Sequence, residues 1–173
     1  SEMCIRDRVK YLVKCNISQE HILMQNGNID KIWNILESVP DPEIPVISVV
    51  ELGVIRKVEF FENNYINSVT PTYSGCPAVK TFQDDIKAQL RENNIHNFHL
   101  EIVYKPAWTT DWMTSKTKQK LKDYGISPPE KTIECPQCNS TNIELISEFG
   151  ATACKSMHKC IDCLEPFEHF KCI

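Results

Sequence analysis

Glycine is scarce in this chain, with 5 among 173 residues. No glycine-rich loop of the kind that cradles phosphates can be drawn from so few. Long apolar runs are missing too: nothing approaches the roughly 20 consecutive apolar residues of a membrane span. The N-terminus lacks the charged, apolar and small-residue series of a secretory signal. Basic residues are not in excess. Nineteen Lys and Arg face 23 Asp and Glu, a net charge of −4 with a pI of about 5.7. That balance argues against a nucleic-acid binder, which usually carries a basic face. There is no Ser/His/Asp set, internal repeat or low-complexity tract. At roughly 150 residues per domain, the length allows one proper core and a small annex.

What the chain does hold is cysteine. There are nine, an odd number, and six of them (Cys135, Cys138, Cys154, Cys160, Cys163 and Cys172) fall in the last 39 residues. Clustered cysteines without an export signal read as metal ligands in a reducing cytoplasm, in preference to disulfides.

The pattern along the chain predicts an α+β domain followed by a small cysteine-rich one. Residues 1–27 are an N-terminal extension whose opening, Ser1 to Arg8, reads in part as a non-native remnant; a short helix is expected over 9–25. The first domain is placed at 28–127. Ile29, Ile32, Trp33 and Leu36 recur at helical spacing behind Asn28 as N-cap, and Pro40 and Pro42 stop that helix. Leu52–Phe61 and Tyr65–Thr70 read as strands around the turn Glu62-Asn63-Asn64. Pro77–Glu92 reads as a helix with Val79, Phe82, Ile86 and Leu90 on one face, and Phe98–Tyr104 as a third strand. A short helix is expected up to Tyr124. Gly125–Glu130 is a linker by composition, and the second domain is placed at 132–173.

In that tail Cys135-Pro-Gln-Cys138 and Cys160-Ile-Asp-Cys163 form two C-x₂-C pairs with 21 residues between them. Two-residue spacing lets one tight turn aim two thiolates at one point, and two such turns complete a tetrahedral shell. About 40 residues cannot hold a core alone, so a structural zinc would supply the folding free energy. An iron–sulfur centre and disulfides are the alternatives. Cys154 and Cys172 read either as small buried hydrophobes or as a second, labile metal or redox site. His158 and His169 are near enough in sequence to act as substitute ligands, or are surface residues.

In the first domain Thr70-Pro71-Thr72-Tyr73-Ser74-Gly75-Cys76-Pro77 joins strand to helix. With Pro77 as the first helical residue, Cys76 is the N-cap. Its sulfur then faces free N–H groups and the positive helix end, which favour thiolate and lower the pKa. Such a thiol suits a nucleophile or a transient metal ligand; a buried turn cysteine is the plain alternative. Asp41-Pro42-Glu43-Ile44-Pro45 sets two carboxylates on a rigid turn, either to bind metal, to steer a cationic partner, or merely to stop a helix. Trp108 and Trp112 read as a partner-binding surface or as cover for a sheet edge.

These residues carry a resemblance. Asp41-Pro42-Glu43-Ile44-Pro45, Leu52-Gly53, Thr70 to Pro77 and Pro106-Ala107-Trp108-Thr109-Thr110-Asp111-Trp112-Met113 resemble the Fe–S-cluster-assembly-like domain family, which includes SufT-type proteins. Cys135 to Cys172 is similar to the C-terminal zinc ribbon of the PaaD (PaaJ) family, the D subunits of phenylacetyl-CoA epoxidase. The likeness covers about 29–173; Ala151 stands where a serine is expected. It implies an accessory, non-catalytic subunit in aerobic phenylacetate catabolism in a bacterial cytoplasm. Its partners would be the oxygenase and reductase subunits, which hold the diiron site, the [2Fe–2S] centre and the flavin. It implies Cys76 as transfer thiol beside Asp41 and Glu43, a transient iron or iron–sulfur cluster as cargo, and Cys135, Cys138, Cys160 and Cys163 as zinc ligands. Cys154 and Cys172 match family positions without an assigned role. A purely structural subunit without metal transfer is the alternative reading. A thiol enzyme using Cys76 with Cys154 or Cys172 has no C-x-x-C in the main domain to support it. A homodimer is left open.

Overall fold

The computed structural model describes residues 19–172. Helix α1 spans Gln19–Glu37. It therefore passes through Asn28 without a break, and Asn28 is an interior helical residue, not the expected N-cap. The part of the expected helix over 9–18 lies outside the described residues. Ile32, Ile35 and Leu36 are buried, with Ile29 and Trp33 packed at the rim, so one stripe faces the core. The helix stops where Ser38 turns back on the Ile35 carbonyl and Pro40 follows.

Strands β1 (Ile55–Phe61) and β2 (Asn64–Val69) form the predicted hairpin. Its turn puts Glu62 and Asn63 at φ 46° and 65°, the left-handed pair that matches the twist of a tight hairpin. Along β2, Tyr65, Asn67 and Val69 face inward at strand period. Helix α2 (Ala78–Glu92) buries Phe82, Ile86 and Leu90, and ends at Asn94 with φ 62°. Strand β3 (Phe98–Ile102) then lies parallel to β2, giving a three-stranded sheet in the order β1-β2-β3. The helix, two strands, helix and strand make the α+β domain expected from the pattern.

After a cis Lys105–Pro106 bond, a short 3₁₀ turn over Thr110–Trp112 leads into α3 (Ser115–Asp123), capped by the Thr114 hydroxyl, which accepts from Thr117 N–H at 3.1 Å. The segment expected to be a linker differs. Ile126–Ser127 is a strand, β4, buried and paired parallel to the last strand of the tail. Backbone groups at a buried junction must find partners, and this pairing supplies them. With β5 (Ile143–Ser147), β6 (Lys155–Cys160) and β7 (Pro166–Phe170) it builds a second sheet in the order β4-β7-β6-β5. Cys154 and Phe170 of the tail join the same apolar cluster as Ile32, Leu36 and Val54, so the two units share a core.

Candidate functional site

The ribbon's four sulfurs converge. Cys135 and Cys163 are 3.6 Å apart, Cys138 and Cys160 are 3.5 Å apart, and all four lie within 4.8 Å of one another. A tetrahedral ion with sulfur bonds of about 2.3 Å needs sulfurs about 3.8 Å apart, so the donor set and its spacing fit zinc. Each knuckle turns through a left-handed residue just after its second cysteine: Asn139 at φ 59° and Leu164 at φ 65°. The knuckles are also clamped to each other. Asp162, between the second pair of cysteines, accepts from Ser140 Oγ and, at 2.8 Å, from Asn142 Nδ2 of the first knuckle. Those bonds hold the Asp162 carboxyl below its usual range. Backbone N–H groups, that of Cys163 first, draw the Cys160 thiol down to about 7. A zinc here would be held by Cys135, Cys138, Cys160 and Cys163, and would supply cross-linking of the two knuckles. Sequence spacing located the four converging cysteines; the Asp162 clamp had no signal beyond its position inside C-x₂-C.

His158 and His169 are not near these sulfurs as ligands. They are buried in the sheet, ring against ring at 5.7 Å, and burial lowers the pKa of both. Cys172 is exposed, its sulfur 3.6 Å from the Glu130 carbonyl, and belongs to neither cysteine group.

A second site forms around Cys76. Pro77, with helical dihedrals, takes the cap position of α2, and Cys76 sits just ahead of it. The sulfur does accept from the Ala78 backbone N–H, as a thiol at a helix entrance should. The expected low pKa is nevertheless reversed. Burial pushes the thiol up first, and the Glu43 and Asp41 carboxylates add to the rise. Tyr73, whose hydroxyl stands beside the same sulfur, is pushed up to about 12, chiefly by burial.

Asp41 and Glu43 come from the turn after α1. Asp41 Oδ1 accepts from the backbone N–H groups of Glu43 and Ile44, both at 2.9 Å. Asp41 is buried, and desolvation raises its pKa against those bonds. One face of its carboxyl thus shapes the turn, while Glu43 is the more open of the two. Burial raises Glu43 as well, opposed by a hydrogen bond from Thr152. Thr152 belongs to the ribbon, so a bond crosses between the two units.

Asp41, Glu43, Thr72 and Cys76 line a small cleft of about 20 Å³, and the ribbon supplies its far wall with Cys154 and Phe170. The volume is that of about one water. Lys155, almost fully buried, pairs with Glu168 at 2.7 Å beside it. Sequence reading brought Cys76, Asp41 and Glu43 together; it had no means of placing Thr152, Lys155 or Phe170 opposite them, since they are more than 75 residues away in the chain. A larger open groove of about 610 Å³ shares no residue with this cleft, and its Lys118 and Lys122 are already paired with Glu130 and Glu134.

Trp108 corrects an expectation. Trp108 is only 3 % exposed; its indole N–H donates to the Leu52 carbonyl at 3.0 Å and its ring lies 5.9 Å from Phe170. A ring enclosed in the core offers no partner surface. Trp112 is half-buried, with the Arg56 guanidinium 3.4 Å over its ring.

The comparisons with known proteins divide the chain as the geometry does. Residues 29–94 match the family described as iron-sulfur cluster assembly protein, and residues 122–171 match the PaaD zinc beta ribbon domain. A protein of Staphylococcus aureus (strain USA300) named Fe-S protein maturation auxiliary factor SufT is 34% identical over 85 residues, 48% of this chain and 96% of that one. The crystal structure of a domain of unknown function from Bacillus anthracis superposes with a TM-score of 0.54 at 29% identity, covering 58% of this chain and 96% of that one. No described helix is long and apolar enough to cross a membrane. Both halves, in the same order, align with a protein of Escherichia coli (strain K12) named as the D subunit of 1,2-phenylacetyl-CoA epoxidase, at 42% identity over 84% of this chain and 93% of that one. The chain belongs to the PaaD family, the D subunits of phenylacetyl-CoA epoxidase.

Proposed function

We propose that this protein is an accessory maturation subunit of a phenylacetyl-CoA epoxidase system, handling iron or an iron–sulfur cluster destined for the oxygenase or reductase subunits. The observation that carries the reading is the Cys76 thiol, partly exposed at a helix entrance and flanked by Glu43 and Asp41 in a cleft. A soft sulfur beside hard carboxylate oxygens is a donor set for iron in transit. Likeness over 85 residues to a protein named as a maturation auxiliary factor, and the match of residues 29–94, which hold Cys76, to the iron-sulfur cluster assembly family support it. Cys76 is the transfer thiol in this reading; Glu43 adds a carboxylate oxygen, and Asp41 holds the turn that aims it. The metal is cargo, and the ribbon zinc is structural.

The ribbon is the docking module. Leu145, Ile146, Phe149, Ile161 and Leu164 leave large apolar side chains exposed on it, which supports an interface role. The deciding experiment purifies the oxygenase and reductase subunits from cells carrying Cys76→Ser and measures iron per subunit. Iron-poor partners are expected. A full metal complement would rule out transfer and leave a structural subunit.

A further inference from the structure

The ribbon's four sulfurs differ in what can reach them. Cys135 and Cys160, the first cysteine of each knuckle, are fully buried, whereas Cys138 and Cys163, the second of each, are exposed. Each exposed sulfur stands against a buried one on the opposite knuckle: Cys138 is 3.5 Å from Cys160, and Cys163 is 3.6 Å from Cys135. Protein groups hold that register. Asp162 of the second knuckle accepts from Ser140 Oγ and Asn142 Nδ2 of the first, and the Ile161 N–H donates to the Asn142 carbonyl at 2.9 Å. A cysteine that binds zinc does so as thiolate, which is also the form that attacks an oxidant. An oxidant in solvent therefore meets one nucleophilic sulfur on each knuckle, with a second sulfur held behind it.

We propose that Cys138 and Cys163 are an oxidation site for hydroperoxides, at which the zinc cross-link is exchanged for two disulfides across the knuckles, Cys138–Cys160 and Cys135–Cys163. The proposal goes beyond the maturation reading and does not depend on it. The exposed sulfur attacks the peroxide: an S–O bond forms, the O–O bond breaks, and the leaving hydroxide takes a proton to become water. The facing thiolate then attacks the sulfenic sulfur: the S–S bond forms, the S–O bond breaks, and a second hydroxide leaves as water. For each disulfide, two thiolates give two electrons to one O–O bond, and hydrogen peroxide with two protons becomes two waters. Two such events consume all four donors and release the zinc. The pairing matters to the fold. These bonds join positions 22 and 28 residues apart, whereas a bond within one C-x₂-C turn restrains almost nothing of the chain. The oxidised ribbon thus keeps its knuckles joined and its wall of the Cys76 cleft in place. Oxidation leaves Cys154 covered, whereas removing zinc from the reduced ribbon uncovers it.

The test treats zinc-filled, full-length protein with hydrogen peroxide, using Cys172→Ser so that this exposed thiol takes no part. Released zinc is read with a chromophoric indicator, disulfides by peptide mass mapping, and Cys154 by iodoacetamide labelling. The zinc of each chain leaves, mapping finds Cys138–Cys160 and Cys135–Cys163, and Cys154 labels at the untreated rate. A dithiol reductant with added zinc restores the starting state. Asp162→Ala, which removes the clamp, shifts the bridges toward Cys135–Cys138 and Cys160–Cys163 and uncovers Cys154. Zinc that stays bound while Cys76 or Cys154 is oxidised overturns the site. Zinc loss with sulfinic or sulfonic products, bridges within the knuckles of the intact ribbon, or Cys154 uncovered by peroxide overturns the exchange. Should Asp162→Ala fail to hold zinc, the mapping of the chain with Asp162 decides alone.

Discussion

At the scale of single residues, Cys76 shows two opposed forces on one atom. The free N–H of Ala78 favours thiolate, whereas burial and the carboxylates of Glu43 and Asp41 favour thiol, and the second set wins. Both burial and the carboxylates therefore make the Cys76 thiolate harder to form, which slows its oxidation and alkylation. The sign of the carboxylate effect is testable. Glu43→Gln removes a negative charge that penalises the thiolate, so the Cys76 pKa falls. At any pH below that pKa, iodoacetamide modification of Cys76 becomes faster than in the wild type, with its pH profile displaced toward acid. An unchanged or slower profile would show that Glu43 does not act on the sulfur.

At the scale of elements, the cleft stands on a turn held by tryptophans. Leu52 lines the cleft, and its carbonyl accepts from the buried Trp108 indole. Gly53 follows with φ 79°, and a Cβ there would meet Trp112 Cβ at 3.1 Å. Gly53→Ala thus adds crowding to a left-handed penalty of about 1–2 kcal/mol. Gly125 supplies the control: its φ is 93°, but a Cβ there meets nothing within 4 Å. In urea unfolding, Gly53→Ala should be the more destabilising of the two, and equal losses would show that Trp112 yields freely. The same packing explains why the tryptophans read as a docking surface in sequence. Aromatics in a polar loop look exposed in a linear string; only the Leu52 carbonyl and the Phe170 ring, 56 and 62 residues away from Trp108, show that its indole is enclosed.

At the scale of the whole molecule, two units are joined through one core and one strand pairing. Phe170 and Cys154 sit in the cluster built by α1 and the first sheet, and β4 leaves the first unit to pair with β7. The ribbon's order depends on its metal, because so short a segment has little core of its own. Its second cluster holds just Cys135, Cys160 and Phe167, with Ile133 and Ile143 at the rim. Removing zinc with a strong chelator should therefore expose Cys154 far from the metal. Its alkylation should accelerate by roughly tenfold or more while α1 and α2 keep their circular-dichroism signal. Cys154 protection that survives complete zinc removal would show the ribbon folding without its ion.

Local chemistry decided much of this in advance. Two-residue cysteine spacing specifies a knuckle because the turn itself aims both sulfurs. Alternation in β2 and the Phe82, Ile86 and Leu90 stripe specify strand and helix because side-chain direction follows backbone period. Helix α1 was legible only in its apolar half; the described helix already includes Gln19, upstream of the apolar stripe that marked it. What the linear string left undetermined were quantities summed over distant groups. The Cys76 pKa turns on desolvation by neighbours from both units, and the meeting of Cys76 with Cys154 turns on how the ribbon docks. Seventy-eight residues separate those sulfurs, and no short-range preference acts over such a stretch. Only packing of the shared core brings both into the lining of one cleft.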